Sequence, residues 1–238
     1  MLKKMLYMLG IALLFAFSNA QAAKYDAAHV AGVKARAERG DARAQCALAE
    51  CYDLVDCEGI PHDYTKARMW YEKAATQGDT EAQFNLGVMY ENGKGVRQDY
   101  SRACQWYEKA AKQELAAAQR AMGTMYDSGR GVQQDYGTAR MWYEKAARQG
   151  DAQAQYNLGL MYANGEGVRQ DYTKARELWE KAATRGYAFA QFNLGVMYEN
   201  GLGVRQNKKT AKEWFGKACD NSLQQSCDAY RELKEAGF

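Results

Sequence analysis

The sequence contains very little proline and histidine. Among its 238 residues there is one proline, Pro61, and there are two histidines, His29 and His62. Scarce proline and frequent alanine favour helix, and no stretch alternates apolar and polar residues as a half-buried strand would. With two histidines and no doubled C-x-x-C motif, a metal site is also disfavoured. The composition therefore predicts an all-helical chain without a bound metal.

The common catalytic and phosphate-binding motifs are missing as well. Beyond residue 22, no serine is followed three positions later by lysine, and Cys104 has no histidine near it in the sequence. The patterns G-x-S-x-G, H-E-x-x-H and G-x-x-x-x-G-K-[ST] do not occur. We therefore predict no catalytic residue and no cofactor, and the sequence favours a binding protein over an enzyme.

A strong charge of either sign is absent, and so are long apolar runs beyond the first residues. The 32 basic and 29 acidic residues leave a formal net charge of +3, and no basic block occurs. This balance disfavours nucleic acid and anionic lipid as partners. No segment after residue 22 is apolar enough for a membrane span. We therefore expect no nucleic-acid partner and no membrane span in the mature chain.

Residues 1–22 carry the pattern of a cleaved bacterial secretory signal. Lys3 and Lys4 precede an apolar run over residues 5–17, and Ala20 and Ala22 are small residues at the positions that a signal peptidase reads. The thirteen residues of this run, rising about 1.5 Å each, are too short for a hydrocarbon core of about 30 Å. We predict an exported protein, periplasmic or secreted, in which cysteines can form disulfides.

The remainder of the chain is a repeat with a period of 36 residues. The string QFNLGVMYENG begins at Gln83 and recurs unchanged at Gln191, and related strings begin at Gln119 and Gln155. A weaker relative begins at Gln45, 38 residues before Gln83. A fixed period of this size indicates stacked structural units, each of which supplies part of a continuous core.

Each repeat contains two helical patterns. In the period from Asp79 to Glu114, apolar residues recur at helical spacing in both halves. Gly93 is expected to end the first helix, Val96 to be buried in the turn, and Asp99 to cap the second helix. The core-facing positions are Ala82, Leu86, Met89 and Tyr90 in the first half and Ala103, Trp106, Tyr107, Ala110 and Ala111 in the second.

Glycine and tryptophan recur at corresponding positions of these helices. A glycine inside a helix is less favourable than alanine by up to about 1 kcal/mol, so its repetition predicts the close approach of a neighbouring helix. The tryptophans are interpreted as packing residues rather than as a ligand-binding stripe. The glycines are Gly87, Gly123, Gly159 and Gly195, and the tryptophans are Trp70, Trp106, Trp142, Trp179 and Trp214.

The residues from Ala82 to Ala111 fill the pattern A-x-x-x-L-G-x-x-Y-x-x-G-x-G-V-x-x-D-x-x-x-A-x-x-W-x-x-K-A-A. This pattern resembles the Sel-one-like repeat family, which is related to the tetratricopeptide repeats. The resemblance covers the chain from about Asp41 to its last residue and implies an all-α fold, a right-handed α-solenoid of stacked antiparallel helix pairs. The expected segments are a signal peptide (1–22), an N-terminal helix (23–40), five helix-pair repeats (41–222) and a C-terminal capping helix (223–238).

The six cysteines are interpreted partly through the same resemblance. Cys219 and Cys227 are eight residues apart across a junction between repeats, a spacing that resembles the disulfide of exported, cysteine-rich Hcp-like members of the family. The other four cysteines permit three pairings. The longer loop of the first repeat favours a bond between Cys51 and Cys57. The two cysteines that remain are Cys46 and Cys104.

A candidate binding site also follows from the resemblance. In tetratricopeptide proteins the first helices line the inner, concave wall, at positions beside the L-G pair. An aromatic ring beside an amide suits an extended peptide, because the ring covers apolar side chains and the amide pairs with backbone groups. The alternative is that these side chains serve packing between repeats. The positions carried over are Phe84, Asn85, Val88, Tyr156, Asn157, Leu160, Phe192, Asn193 and Val196.

These observations favour an exported scaffold that binds a protein or peptide through its concave surface. A competing hypothesis is weak β-lactam binding or β-lactamase-like activity, with which some Hcp-like relatives are associated. A third is a purely structural component of the cell envelope. Alanine at Asn85 or Asn193 is expected to separate binding from packing, because only a packing role makes the amide necessary for stability.

Overall fold

The computed structural model describes residues 27–53 and 57–238. The predicted signal segment, the first residues of the predicted N-terminal helix and residues 54–56 lie outside these ranges. Within them the chain forms twelve α-helices and no strand, so the predicted class of consecutive helix pairs is confirmed. The helices are α1 (Ala27–Glu38), α2 (Ala42–Asp53), α3 (Tyr64–Thr76), α4 (Thr80–Asn92), α5 (Tyr100–Lys112), α6 (Ala116–Ser128), α7 (Tyr136–Arg148), α8 (Ala152–Asn164), α9 (Tyr172–Thr184), α10 (Ala188–Asn200), α11 (Lys208–Asp220) and α12 (Gln224–Glu235).

The chain divides into two compact units, Met1–Trp106 and Tyr107–Phe238, and the boundary falls within α5. In the described part of the first unit, α1 packs on α2, α2 on α3 and α3 on α4. In the second unit, each helix from α6 to α12 packs on the next. None of the helices in the described ranges combines the length and the apolar composition needed to cross a membrane.

The turn between α4 and α5 follows the chemistry expected from the sequence, with one exception. Gly93 adopts φ 70° and ψ 28°, the left-handed conformation that glycine takes without steric cost, and α4 ends there. Asp99 accepts a hydrogen bond from a backbone N–H in the first turn of α5 at 3.0 Å and caps that helix as predicted. The prediction that Val96 is buried is wrong, since its side chain is half-buried. The close contact in this turn is made instead by the backbone of Gly95, where a Cβ atom would overlap the Tyr64 carbonyl.

Three recurring glycines inside the first helices lie where a neighbouring helix comes close, as predicted. A Cβ atom added to any of them would overlap an aromatic ring of the second helix in the same pair. The absence of a side chain therefore lets the two helix backbones approach with the ring between them. The pairs are Gly123 with Tyr143, Gly159 with Trp179, and Gly195 with Phe215.

The most buried aromatic residue of each second helix follows the usual tryptophan position. Tyr71 and Phe215 are each 1% exposed. The tryptophans before them, Trp70 and Trp214, are half-buried and pack at the edge of the core, with a lysine ammonium over each ring at 4.0 and 4.1 Å. In α9 the tryptophan itself, Trp179, occupies the buried position and is 4% exposed. The interpretation of these tryptophans as packing residues is therefore correct.

The glutamine that opens each copy of the repeated string is buried and joins three helices. Its Nε2 donates to the carbonyl of an alanine eight residues earlier, near the end of the preceding helix. In three repeats its Oε1 accepts a hydrogen bond of 2.7 to 2.9 Å from the residue that caps the second helix of the same pair. At Gln155, where the capping residue is Arg185, Oε1 is buried and accepts no hydrogen bond within the described protein. The glutamines are Gln45, Gln83, Gln119, Gln155 and Gln191.

The last repeat junction replaces this glutamine contact with a disulfide. Cys219 and Cys227 lie one 36-residue period after Ala183 and Gln191, which are joined by a 3.0 Å hydrogen bond from Gln191 Nε2. The two cysteines are bonded in the structure, with their Cα atoms 4.7 Å apart. The disulfide thus ties α12 to α11 at the place where a hydrogen bond ties the corresponding helices of the repeat before it.

The second disulfide lies in the first repeat. Cys51 on α2 is bonded to Cys57 in the loop that follows, with a Cα–Cα distance of 5.3 Å. Cys46 and Cys104 are buried and take part in neither bond. The structure therefore contains both of the pairings that the sequence favours, and each of them closes a short segment of chain.

Candidate functional site

The nine predicted contact residues are all half-buried in the structure. They lie on α4 in the first compact unit and on α8 and α10 in the second. Half-buried side chains on helices that also pack against one another can serve packing, binding or both. Their hydrogen bonds and ring contacts separate these roles.

The asparagines are held by tyrosine hydroxyl groups. Asn85 donates a hydrogen bond to Tyr71, a residue of the preceding helix that is 1% exposed. Asn157 donates in the same way to Tyr143, whose pKa is raised to about 12 by burial. The amides thus satisfy buried hydroxyl groups between consecutive repeats, which gives them a structural role.

The aromatic and aliphatic members of the set also pack. The Phe192 ring lies 5.5 Å from the Phe215 ring, between centroids. Tyr156 lies 6.4 Å from the Trp179 ring, and its carbonyl accepts a 3.1 Å hydrogen bond from the Trp179 indole N–H. Leu160 packs against the core around α9 and α10, and Val196 packs against the core around α11. Packing therefore accounts for part of these four side chains, and a contact with a partner stays a prediction for their exposed remainder.

An aromatic patch extends from Tyr156 to residues that the sequence analysis did not select. The Tyr156 ring lies 5.2 Å from the Tyr187 ring and 6.1 Å from the Phe189 ring, and those two rings are 5.8 Å apart. Phe189 is 45% exposed although it belongs to this cluster. Asn193 donates a hydrogen bond to the Tyr156 hydroxyl and so holds that ring in place. We call Tyr156, Tyr187 and Phe189 the aromatic patch.

An ion pair in the same compact unit acts electrostatically on Tyr187 of the aromatic patch. Arg120 Nε is 3.2 Å from an Asp151 carboxylate oxygen, and the two side chains are 25% and 16% exposed. Burial raises the pKa of Tyr187, the Tyr156 and Asp151 groups raise it further, and Arg120 lowers it. Both members of the ion pair therefore act electrostatically on Tyr187. The Arg120 side chain is partly exposed and can also contact a ligand.

The sequence contains a signal for the missed residues. Position 187 directly precedes the first helix of its repeat, at the capping position where two of the other repeats have Asp79 and Asp151. Position 189 is occupied by glutamate or glutamine in those two repeats. Tyr187 and Phe189 are thus aromatic residues at positions where those two repeats are polar and the third repeat has Leu115 and Ala117, so no other of these repeats has an aromatic residue at either position. These two residues could therefore be found by looking for positions at which one repeat differs from the others, rather than for positions that recur.

Among residues 27–53 and 57–238, no group of three or more histidine, cysteine, aspartate or glutamate side chains is arranged to hold a metal ion. The groups described for this surface are aromatic rings, an asparagine amide and the Arg120–Asp151 ion pair.

Comparison with known proteins connects this architecture to a family. The family model described as Sel1 repeat matches five times, over residues 42–79, 80–115, 116–151, 152–187 and 188–223. No curated protein gives a significant sequence match.

Solved structures show the same fold. The Sel1 repeat protein from Oxalobacter formigenes is 36% identical, with a TM-score of 0.75, and the alignment covers 86% of this chain and 59% of that one. This chain thus spans about three-fifths of the length of that relative. A sel1 repeat protein from Klebsiella pneumoniae is 27% identical over 86% of this chain and 99% of its own, with a TM-score of 0.55. An immunity protein from Pseudomonas aeruginosa, 21% identical over 85% of this chain and 80% of its own with a TM-score of 0.55, shares the fold.

The family assignment agrees with the packing found in each compact unit. The five matches begin within one residue of α2, α4, α6, α8 and α10, the helices that carry the buried glutamines. Repeats of this kind are scaffolds that typically mediate protein–protein interaction. With the repeats matched over most of its length and the helix pairs in place, the chain belongs to the Sel1 repeat family.

Proposed function

We propose that the protein is an exported scaffold that binds another protein through the aromatic patch and the adjoining Arg120–Asp151 pair. The observation that carries this proposal is the exposure of Phe189, 45%, within a cluster of three aromatic rings. A single exposed apolar side chain is ordinary, but Phe189 is exposed in contact with two half-buried aromatic rings, and aromatic residues are enriched at protein interfaces.

The patch suits an extended segment that presents an apolar side chain. The rings of Tyr156 and Phe189 offer apolar area with few rotatable bonds, so little conformational entropy is lost on binding. Arg120 is 25% exposed and can direct an N–H group to a backbone carbonyl of such a segment. Phe192 and Val196 of the predicted set are half-buried on the same helix as Phe189 and are proposed to extend the contact area.

We propose separately that the three predicted residues on α4, in the first compact unit, also contact a partner. Phe84, Asn85 and Val88 occupy the positions of Phe192, Asn193 and Val196 and have the same side chains. Their counterpart of Phe189 is Glu81, which is exposed and charged. If both areas bind a partner, the α4 area is therefore expected to contribute less apolar contact.

Export is supported by two independent features. Residues 1–22 have the sequence of a secretory signal, and two cysteine pairs lie in disulfide geometry. Disulfides persist in oxidising compartments such as the periplasm and the extracellular medium. We therefore propose that the protein and its partner meet outside the cytoplasm.

A photo-crosslinking experiment tests the proposed surface. A benzoylphenylalanine residue is placed at Phe189 and, as a control, at Met141, which is 43% exposed and lies on α7 in the same compact unit. Both forms of the full-length protein are expressed in the native cells and irradiated, and the adducts are identified by mass spectrometry. We expect one protein to crosslink at position 189 and not at position 141. Identical adducts at the two positions, or none at position 189, would contradict the proposal.

The asparagine hydrogen bonds lead to a further expected result. Asn85→Ala should lower the free energy of unfolding by about 1 kcal/mol, because the buried Tyr71 hydroxyl loses a donor. Urea denaturation measures this effect. The control is Asn164→Ala, since Asn164 is exposed and its amide bonds only the half-buried Glu166 side chain, at 3.2 Å. Equal midpoints for the two variants would show that the amide adds nothing to stability and would restore the purely partner-binding interpretation of Asn85.

A further inference from the structure

Two clefts of closely similar composition lie one repeat apart in the second compact unit. The first has a volume of about 620 Å³ and is lined by Arg140 of α7, by the loop from Gly167 to Asp171, and by Lys174 of α9. The second has a volume of about 640 Å³ and is lined by Arg176 of α9 and the loop from Gly203 to Asn207. We call them the first and second basic clefts. They share no residue with the aromatic patch or its ion pair.

The charges that line the clefts are mainly positive. The first cleft is lined by three cations, Arg140, Arg169 and Lys174, and by one carboxylate, Asp171. The carboxylate is already engaged, because it accepts a 3.0 Å hydrogen bond from the backbone N–H of Lys174 as a helix cap. The second cleft is lined by two cations, and the capping position there is the neutral Asn207. Neither cleft therefore presents an unengaged negative charge among its lining residues.

Each cleft has one arginine on a helix, Arg140 in the first and Arg176 in the second, which we call the inner arginines. One N–H donor of each inner arginine lacks a hydrogen-bond acceptor in the described protein. Arg68, at the corresponding position of the first repeat, donates its Nε–H to the Gly95 carbonyl at 3.2 Å. In Arg140 and Arg176 the Nε atom is buried and makes no hydrogen bond within the described protein. Each of these arginines also faces a glutamate one helical turn away, at 3.4 and 3.5 Å, but both members of each pair are about a third exposed or more, so these ion pairs are weak. The rest of each guanidinium is partly exposed and is held in the described protein only by this weak pair, so its outer N–H groups can take an added acceptor in the cleft.

Each cleft also has one arginine in its lining loop, Arg169 in the first and Arg205 in the second, which we call the outer arginines. The outer arginines are available to a ligand. Arg169 and Arg205 are exposed, and neither makes an ion pair with the part of the chain that the structure describes. A guanidinium group presents its N–H donors in a planar fork that matches a carboxylate. Two arginines at one cleft can therefore contact both oxygens of a single carboxylate or two neighbouring carboxylates.

We propose that the two basic clefts bind glutamate or aspartate side chains of an acidic protein segment. A nucleic acid or another long polyanion would need a continuous basic surface, whereas this chain has a formal net charge of +3 with acidic residues throughout. Two similar clefts one repeat apart favour a ligand with several carboxylates, because the second contact becomes intramolecular once the first has formed. This inference does not depend on the proposed role of the aromatic patch, since the two surfaces have no residue in common.

A binding titration tests the clefts with a defined probe. The probe is a fluorescein-labelled peptide of alternating glutamate and glycine, and its counterpart with glutamine in place of glutamate is the neutral control. Fluorescence anisotropy measures the affinity of the full-length protein for each. We expect binding of the glutamate peptide only, and an affinity that falls roughly tenfold or more in the Arg169→Gln, Arg205→Gln double variant. These arginines are exposed, so the variant is expected to fold normally, which circular dichroism checks.

Two further double variants test whether binding depends on the planar guanidinium groups of the clefts or only on the positive charge of the protein. Lys34→Gln with Arg39→Gln removes the same number of positive charges from exposed positions on and just after α1, and it should retain the affinity of the original protein. The double variant Arg169→Lys, Arg205→Lys keeps the positive charge but lacks the paired N–H donors of the guanidinium group. Its affinity for the glutamate peptide should fall between those of the original protein and the glutamine variant. The proposal is overturned if the original protein does not bind the glutamate peptide or binds the glutamine peptide as well. It is also overturned if the lysine variant matches the original protein, or if the α1 variant loses as much affinity as the cleft variant.

Discussion

Gly159→Leu should lower the free energy of unfolding by about 3 kcal/mol, at the upper end of the usual range for an overpacked core. Gly159 faces the Trp179 ring so closely that even a Cβ atom would overlap it. The ring has little room to move, because Trp179 is 4% exposed and its indole N–H is bonded to the Tyr156 carbonyl at 3.1 Å. The added side chain must therefore separate α8 from α9.

A matched control distinguishes this clash from the general effect of changing a helical glycine. Gly32 lies inside α1, is exposed, and has nothing within 4 Å of the position that a Cβ atom would take. Gly32→Leu should be neutral or slightly stabilising, since leucine is the better helix former by up to about 1 kcal/mol. Urea denaturation of both variants gives the comparison. An unchanged midpoint for Gly159→Leu would mean that the helix pair is not packed at this glycine.

Loss of the last disulfide should cost about 2–3 kcal/mol of stability, the effect expected for closing a loop of this size. Cys219 and Cys227 are separated by eight positions and join α11 to α12. The double variant Cys219→Ser, Cys227→Ser removes the bond and leaves α12 held by its remaining contacts, chiefly Leu233 against Phe215 and Ala211. Unfolding in urea without a reducing agent measures the difference.

A second variant tests why the cysteines lie at these two positions. Cys219→Ala with Cys227→Gln recreates the alanine and glutamine that hold the preceding repeat at Ala183 and Gln191. This variant should be more stable than the double serine variant, because the glutamine can donate to the alanine carbonyl and close the same junction. Equal stability of the alanine–glutamine and the serine variants would contradict the correspondence between disulfide and hydrogen bond.

The helix pairs could be predicted because the same packing residues recur at the same positions in each repeat. A glycine such as Gly195 is unfavourable in an isolated helix, so its recurrence indicates a contact outside that helix. The structure supplies the contact, the Phe215 ring on the paired helix. The glycine at each helix end and the capping aspartate were predictable for a similar reason, since their chemistry acts within a few residues of the chain.

The roles of the polar residues could not be predicted, because they depend on which side chain of another helix lies opposite. Asn85 and the buried Gln83 are both amides near the start of α4, yet the first bonds a tyrosine hydroxyl and the second a backbone carbonyl. The repeat pattern draws attention to residues that recur, and recurrence reports packing. Tyr187 and Phe189 occur once, so a search for recurring positions passes over the surface where we propose that the partner binds.

The affinity of Phe189→Ser for the partner identified by crosslinking tests the central claim most directly. The comparison is Met141→Ser, because Met141 is similarly exposed, 43% against 45%, and lies outside the aromatic patch. Isothermal titration calorimetry with both purified proteins should show a loss of at least about tenfold for Phe189→Ser, in line with the effect of removing an aromatic residue from the centre of an interface. Met141→Ser should bind as the original protein does. Equal affinities for the two variants would show that the aromatic patch is not the binding surface.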